Sequence, residues 1–186
     1  MKVLLVDFYD SFTYVIADYI KALNVDLEVV KDKEIKLEEL DTFDTIVFSP
    51  GPGLPQETRS LNPILLKYAR SKKILGICLG MQGIGQHFGA TLYNLEKVMH
   101  GKAIEINLLN KNWLFEGLPD NINVGLYHSW AISIPEASDL EVTAVTKSGI
   151  IMAVEHKAFK IAAVQFHPES VMTEGGKEII KNFILG

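Results

Sequence analysis

The residues of this chain best suited to chemistry fall in three short stretches. The first, Gly76-Ile77-Cys78-Leu79-Gly80, holds the only cysteine among 186 residues, set between two glycines. A thiolate is a strong nucleophile, but a free cysteine, with a pKa of about 8.5, is mostly protonated at neutral pH and wants a base. The second stretch offers one. Of the five histidines, His167 follows an apolar run in Val164-Gln165-Phe166-His167-Pro168-Glu169-Ser170, with Glu169 two residues on. Cys78 as nucleophile, His167 as base and Glu169 as the carboxylate that orients the ring make a candidate triad for acyl transfer. The third stretch is Ser49-Pro50-Gly51-Pro52-Gly53, whose glycines let backbone N–H groups approach a ligand closely. It has no lysine and lacks the G-x-x-x-x-G-K-[ST] form, so it does not read as a nucleotide cradle.

Gly76 to Gly80 has the form G-x-C-x-G, the thiol version of a nucleophile elbow. A sharp strand-to-helix turn strains the nucleophile's backbone, and its neighbours must be small for other backbone to pass. The turn lifts the sulfur above the strand ends and aims the Leu79 N–H at the same spot. A helix start favours negative charge, so it favours the thiolate and an oxyanion. A second oxyanion donor is expected from another loop, with Ser49 to Gly53 the best candidate. Each residue alone has a plainer reading. Cys78 can be a small buried apolar side chain, His167 a structural histidine, Glu169 a cap on the next turn, and Ser49 to Gly53 a rigid turn. The triad is preferred because all three features occur in a chain with one cysteine.

The elements that must position these residues follow from apolar patterning. Val3-Leu4-Leu5-Val6 is a buried-strand run, and Ser11 to Leu23 has helical spacing at Phe12, Val15, Ile16, Tyr19, Ile20 and Leu23, with Asp10 or Ser11 able to cap it. Strands are predicted at Leu27 to Val30, Thr45 to Phe48 and Lys73 to Ile77, and helices at Asn62 to Arg70 and Met81 to Phe88. This alternation predicts an α/β fold: an open, mostly parallel central sheet with helices on both faces. The second half reads as an added antiparallel section, with strands at Ala103 to Leu108, Ile122 to Tyr127, around Ile132, Leu140 to Val145, Ile150 to Glu155 and Lys160 to Gln165. A helix, Gly175 to Leu185, closes it. No Ser/Gly-rich linker divides the halves, so residues 1–186 are expected to form one domain.

Composition narrows the function. A formal net charge of -5 gives a nucleic-acid role no electrostatic help, and 48% hydrophobic residues suffice for one sizeable core. One cysteine excludes a disulfide framework and a cysteine-cluster metal site. No apolar run approaches a membrane span, and the opening run is too short for a signal peptide, so a soluble cytoplasmic protein is expected, with no membrane partner.

The three motifs, in this order and spacing, resemble the class I glutamine amidotransferases of the Cys-His-Glu type over nearly the whole chain. Asp10-Ser11-Phe12-Thr13-Tyr14, His100-Gly101-Lys102 and Tyr127-His128-Ser129 resemble one branch, the small glutaminase subunit of anthranilate or aminodeoxychorismate synthase. Phe8, Leu126 and Trp130 depart from that branch, where asparagine, arginine and leucine are usual, and Leu54 to Thr58 lacks its common Ala-Gly. The resemblance implies that Cys78 attacks the side-chain amide of glutamine, with Leu79 and Gly53 as oxyanion donors. It places glutamine against Gly51, Pro52, Gly53, the Gln82 side chain and the backbone of Ser129 and Trp130. It implies a large chorismate-using partner that receives ammonia, contacted through His100, Gly101 and Lys102. Neither a cofactor nor a metal is implied.

Three other readings compete. A phospho-receiver module needs an acidic residue ending its third strand, where this chain has Ser49. A peptidase or deglycase on a related sheet is disfavoured by Gln82 and by the adjacent His167-Pro168-Glu169. An inert docking subunit is disfavoured by the intact triad.

Overall fold

The computed structural model describes residues 1–111 and 113–186. Nine strands among these residues form a single sheet. Its parallel part uses β1 (Lys2–Asp7), β2 (Asp26–Lys31), β3 (Thr45–Phe48), β4 (Lys73–Ile77) and β9 (Ile161–Val164), in the order β2-β1-β3-β4-β9. The remainder continues from β9 as antiparallel pairs through β8 (Ile151–His156), β7 (Leu140–Thr146), β5 (Thr91–Leu108) and β6 (Asn121–Ser133). The expected α/β sheet with an antiparallel addition is therefore present.

Strands buried on both faces need continuous apolar runs, and β3 and β9 are buried at every position. The period-two alternation along these strands then decides which helix each side chain meets. Val3, Leu5, Val47, Leu75 and Val164 pack with Ile16 and Ile20 of α1 (Thr13–Lys21) and with Ile179 and Phe183 of α4 (Gly176–Leu185). Leu4, Val6, Ile46, Phe48 and Ile74 pack on the other face with Ile64 and Leu65 of α2 (Leu61–Tyr68) and Met81 and Ile84 of α3 (Leu79–His87). Among the described residues no helix is long and apolar enough to cross a membrane.

Three of the departures from the sequence expectations bear on the site. Neither Asp10 nor Ser11 caps α1. The residue before the helix is Phe12, which makes no side-chain cap, and Asp10 Oδ1 instead accepts the Phe12 N–H at 2.8 Å, a local turn that aspartate forms readily. His100-Gly101-Lys102, outside every predicted strand, is itself part of one. It lies inside β5, where the register to β6 slips between His100 and Lys102 and Gly101 takes φ 64°. One extra residue on one strand of an antiparallel pair produces such a bulge. Lastly, the strand predicted at Lys160 to Gln165 is no peripheral addition: as β9 it is the seam of the sheet, parallel to β4 and antiparallel to β8.

On β8, Glu155 faces Glu141 of β7 across the ladder, and its Oε1 is buried without a partner. Burial first, then repulsion from Glu141, raises its carboxyl from 4.5 to about 7, against a bond from the Leu114 backbone. The folded value exceeds the unfolded one. The group's favourable contribution is therefore complete below the unfolded value and is lost as pH rises through about 7. Glu155→Gln keeps an oxygen for Leu114 and removes the charge. It should gain about 1–2 kcal/mol over the native chain at pH 8 and close to nothing at pH 5, read by urea unfolding at both.

Candidate active site

The parallel strands all end at one edge of the sheet, where an open α/β fold carries its ligand. Ile77 pairs with Val164, so the next residues, Cys78 and Gln165, emerge side by side, and the Cys78 N–H binds the Val164 carbonyl at 2.8 Å. The segments after β1 and β3, Phe8 to Phe12 and Ser49 to Gly53, leave from the same edge. Ser49 ties these two together: its Oγ accepts the Phe8 N–H at 2.9 Å and donates to the Pro50 carbonyl at 2.7 Å.

Cys78 sits between β4 and α3 with φ 52° and ψ -101°, a conformation that a residue with a side chain adopts only under constraint. The flanking glycines supply that constraint. A Cβ on Gly80 would stand 2.7 Å from the Phe48 Cβ, and one on Gly76 would stand 2.6 Å from the Gly80 carbonyl carbon. Strand, turn and helix therefore touch backbone to backbone, and the expected elbow is present. Leu79, the next residue, is the first of α3, and amides of a first helical turn have no carbonyl partner within the helix. Gly53 takes φ 76° at the end of its loop, and Glu57 Oε2 holds the following Leu54 N–H at 2.8 Å.

The imidazole of His167 is buried and its Nδ1 lies 2.6 Å from Glu169 Oε1. The other carboxylate oxygen, Oε2, is buried without a partner among the described residues, so the charge acts chiefly on the ring. The loop is pinned by its backbone: the His167 N–H binds the Gly125 carbonyl at 3.0 Å, and Thr173 Oγ1 donates to the His167 carbonyl at 2.6 Å. His167 Nε2 makes no hydrogen bond of good geometry, yet Cys78 is near enough to interact with it. Burial pulls the imidazole pKa down, and bonds and charge from Cys78 and Glu169 more than offset this, pushing it up to about 10. At neutral pH the ring is therefore an imidazolium beside the sulfur. Loose contacts of this kind tighten when substrate arrives. By contrast, burial lowers the pKa of nearby His128, which engages the Trp130 carbonyl through Nδ1 at 2.8 Å. A neutral His128 does not compete for the proton.

Cys78, His167 and Glu169 thus lie together at this edge, with Leu79 and the Gly51-Pro52-Gly53 loop on the adjoining strand ends. Gln82, on the first turn of α3, is buried and reaches the Trp130 carbonyl at 3.2 Å. That contact brings the predicted Ser129 and Trp130 segment beside the elbow. Phe8, one of the departures, presses its Cβ to within 2.6 Å of where a Gly51 side chain would begin.

Sequence reasoning gave no role to three residues that shape the site. Phe12 and Tyr127 set their rings edge-on to His167 at 5.7 and 4.8 Å, and His100 stacks edge-on against Tyr127 at 5.4 Å. Gln165 lies against the sulfur and Gln82. The available signal for Gln165 was an amide at the end of a fully apolar strand, where a buried polar group demands partners.

A family model described as glutamine amidotransferase class-I matches residues 4–186. The chain belongs to the class-I glutamine amidotransferases. Among similar amidotransferases, the aminodeoxychorismate/anthranilate synthase component 2 of Bacillus subtilis is 40% identical over 186 residues, covering 98% of this chain and 95% of its own. Anthranilate synthase component 2 of Pseudomonas aeruginosa is 39% identical over 191 residues, covering 97% and 94%. The crystal structure of a Thermoplasma acidophilum protein, described as a candidate component of GMP synthase, superposes with a TM-score of 0.89 at 30% identity, covering 99% of this chain and 92% of that one. Amidotransferase membership supersedes the receiver and peptidase readings.

Proposed function

We propose that residues 1–186 act as one glutaminase domain in which Cys78, His167 and Glu169 hydrolyse L-glutamine and deliver ammonia to a larger chorismate-using subunit. The observation that carries the mechanism is the buried His167–Glu169 pair at 2.6 Å, on a ring that Cys78 is near enough to act on. The Cys78 thiolate adds to the side-chain carbonyl carbon of glutamine. The resulting oxyanion is held by the N–H groups of Leu79 and Gly53. As the C–N bond breaks, His167 Nε2 gives its proton to the leaving nitrogen, releasing ammonia and leaving a γ-glutamyl thioester. The now neutral imidazole takes a proton from water as its oxygen adds to the thioester. Collapse then breaks the C–S bond, frees glutamate and restores the thiolate–imidazolium pair. Glu169 keeps Nδ1 protonated throughout and offsets the ring's charge. Glutamine lies against Gly51, Pro52 and Gly53, with the Gln82 amide and the backbone of Ser129 and Trp130 reading its polar groups.

The names of the B. subtilis and P. aeruginosa relatives, each component 2 of a synthase, support a chorismate-using partner. His100, Gly101 and Lys102 serve as its contact: they are exposed on the β5 bulge, and His100 touches the ring that touches His167. The test is reconstitution. The chain is mixed with the large subunits of anthranilate synthase and aminodeoxychorismate synthase in turn, and glutamate and the amino product are measured from glutamine and chorismate. Glutamine-dependent product with at least one of them is expected. Failure with both, alongside active use of free ammonia, would exclude this partner class.

A further inference from the structure

Gln165 directly follows β9, is fully buried, and lies 87 residues from Cys78 in sequence. A buried side-chain amide is costly unless its donors and acceptor are met. Here the bonds form a chain with a defined direction. The Trp130 carbonyl can only accept, and it takes Gln82 Nε2 at 3.2 Å. That fixes which end of the Gln82 amide is nitrogen. The second N–H of the same nitrogen meets Gln165 Oε1 at 3.3 Å. The Gln165 amide is therefore oriented in turn, with Nε2 directed at Cys78 Sγ, 3.5 Å away. Turning this amide over would set nitrogen against nitrogen at Gln82 and oxygen against sulfur at Cys78. Both contacts are repulsive once the sulfur is ionised.

We propose that Gln165 is a positioning residue for the nucleophile: its Nε2–H donates to the Cys78 thiolate, locked in that sense by Gln82 and the Trp130 carbonyl. The role rests on the reading of Cys78 as nucleophile. A donor bonded to the charged form of a group favours that form. A second donor beside the imidazole also helps hold the sulfur in one rotamer, and a nucleophile gains rate from being held in line with its target. Because Gln82 is both the lock and the residue assigned to glutamine, a ligand that pulls on its amide acts on the sulfur through one intervening side chain. His167 then need not supply the whole stabilisation of the anion, which eases release of its proton to the leaving nitrogen.

The full chain has one cysteine, so its alkylation by iodoacetamide reports this sulfur alone. Rates are followed from pH 5 to 10 for the native chain, Gln165→Met and Gln165→Glu, each confirmed folded by circular dichroism. Met keeps the bulk and removes the donor. At pH 6.5 its rate should fall about tenfold, with the profile moved to higher pH and rates converging with the native chain above the new midpoint. Glu sets a carboxylate against the sulfur and should move the profile further. An unmoved Met profile, or a loss equal at every pH, overturns the proposal. In the native chain, which carries no folding risk, the Gln165 side-chain amide NMR signal should shift with the same midpoint as alkylation. It should lose that shift in Cys78→Ala. A signal indifferent to the sulfur also overturns it. If the native sulfur reacts no faster at neutral pH than free cysteine, and His167→Asn changes nothing, the nucleophile reading falls and this inference with it. A reactive native sulfur with an unmoved Gln165→Met profile removes only the inference.

Discussion

Cys78→Ala is expected to abolish glutamine turnover while the chain still folds, still joins its larger partner and still permits synthesis from free ammonia. The loss should be about 1000-fold or more, because Cys78 is the only thiol in the chain and triad members act as a unit. The fold should hardly notice. The replaced atom is one sulfur, the residue keeps its Cβ at φ 52°, and the constraint that imposes this φ comes from the Gly76, Gly80 and Phe48 backbone contacts, which remain. A change in unfolding free energy within about 1 kcal/mol is expected. Glutamate release, ammonia-dependent product formation and urea unfolding separate these outcomes. Retained glutamine turnover would remove the elbow as the reacting centre. Loss of turnover with either substrate would point instead to a docking defect.

Gly176→Ala should be the most damaging single methyl. Gly176 opens α4 behind the His167 loop, and a Cβ there would overlap the Pro168 carbonyl. Side-chain clashes relax by rotation, whereas this one opposes backbone to backbone. Either α4 or the Pro168-Glu169 segment must move, and both are tied down: Ile179 and Phe183 are buried on the sheet, and Thr173 holds the His167 carbonyl. A loss of about 3 kcal/mol is expected, at the upper end of overpacking costs. Where the variant is still folded, kcat should fall about 100-fold, since a displacement near 1 Å at the base is enough. Steady-state kinetics at low temperature and urea unfolding on the same samples would check both. Native stability with native kcat would show that the loop and α4 are not coupled.

The candidate constellation was legible because each part lies in a contiguous run of unusual chemistry. A cysteine between glycines after an apolar strand has few alternatives, and His167 and Glu169 are two residues apart. Thr45 to Phe48 and Lys73 to Ile77 were legible as strands with their observed bounds, being short apolar runs closed by turn residues. What stayed hidden depends on partners distant in the chain. Thr91 to Lys102 is mostly exposed on both faces, so no apolar alternation marks it as the first part of β5. Asp10 can bond its own backbone as well as a helix end, and sequence does not say which wins. The bonds of Gln165 reach back to α3, and no pattern local to β9 encodes them.

The seam position of β9 has a consequence for how activity is switched on during assembly. The strand that delivers the base must insert beside β4 after the intervening residues have left the middle of the sheet and formed β5 to β8. Such non-local pairing closes late and slowly. A half-assembled molecule therefore carries a thiol with no imidazole next to it, and a cut anywhere between α3 and β9 leaves nucleophile and base on separate fragments. On the proposed mechanism, thiol and imidazole therefore come together only in a completed protein.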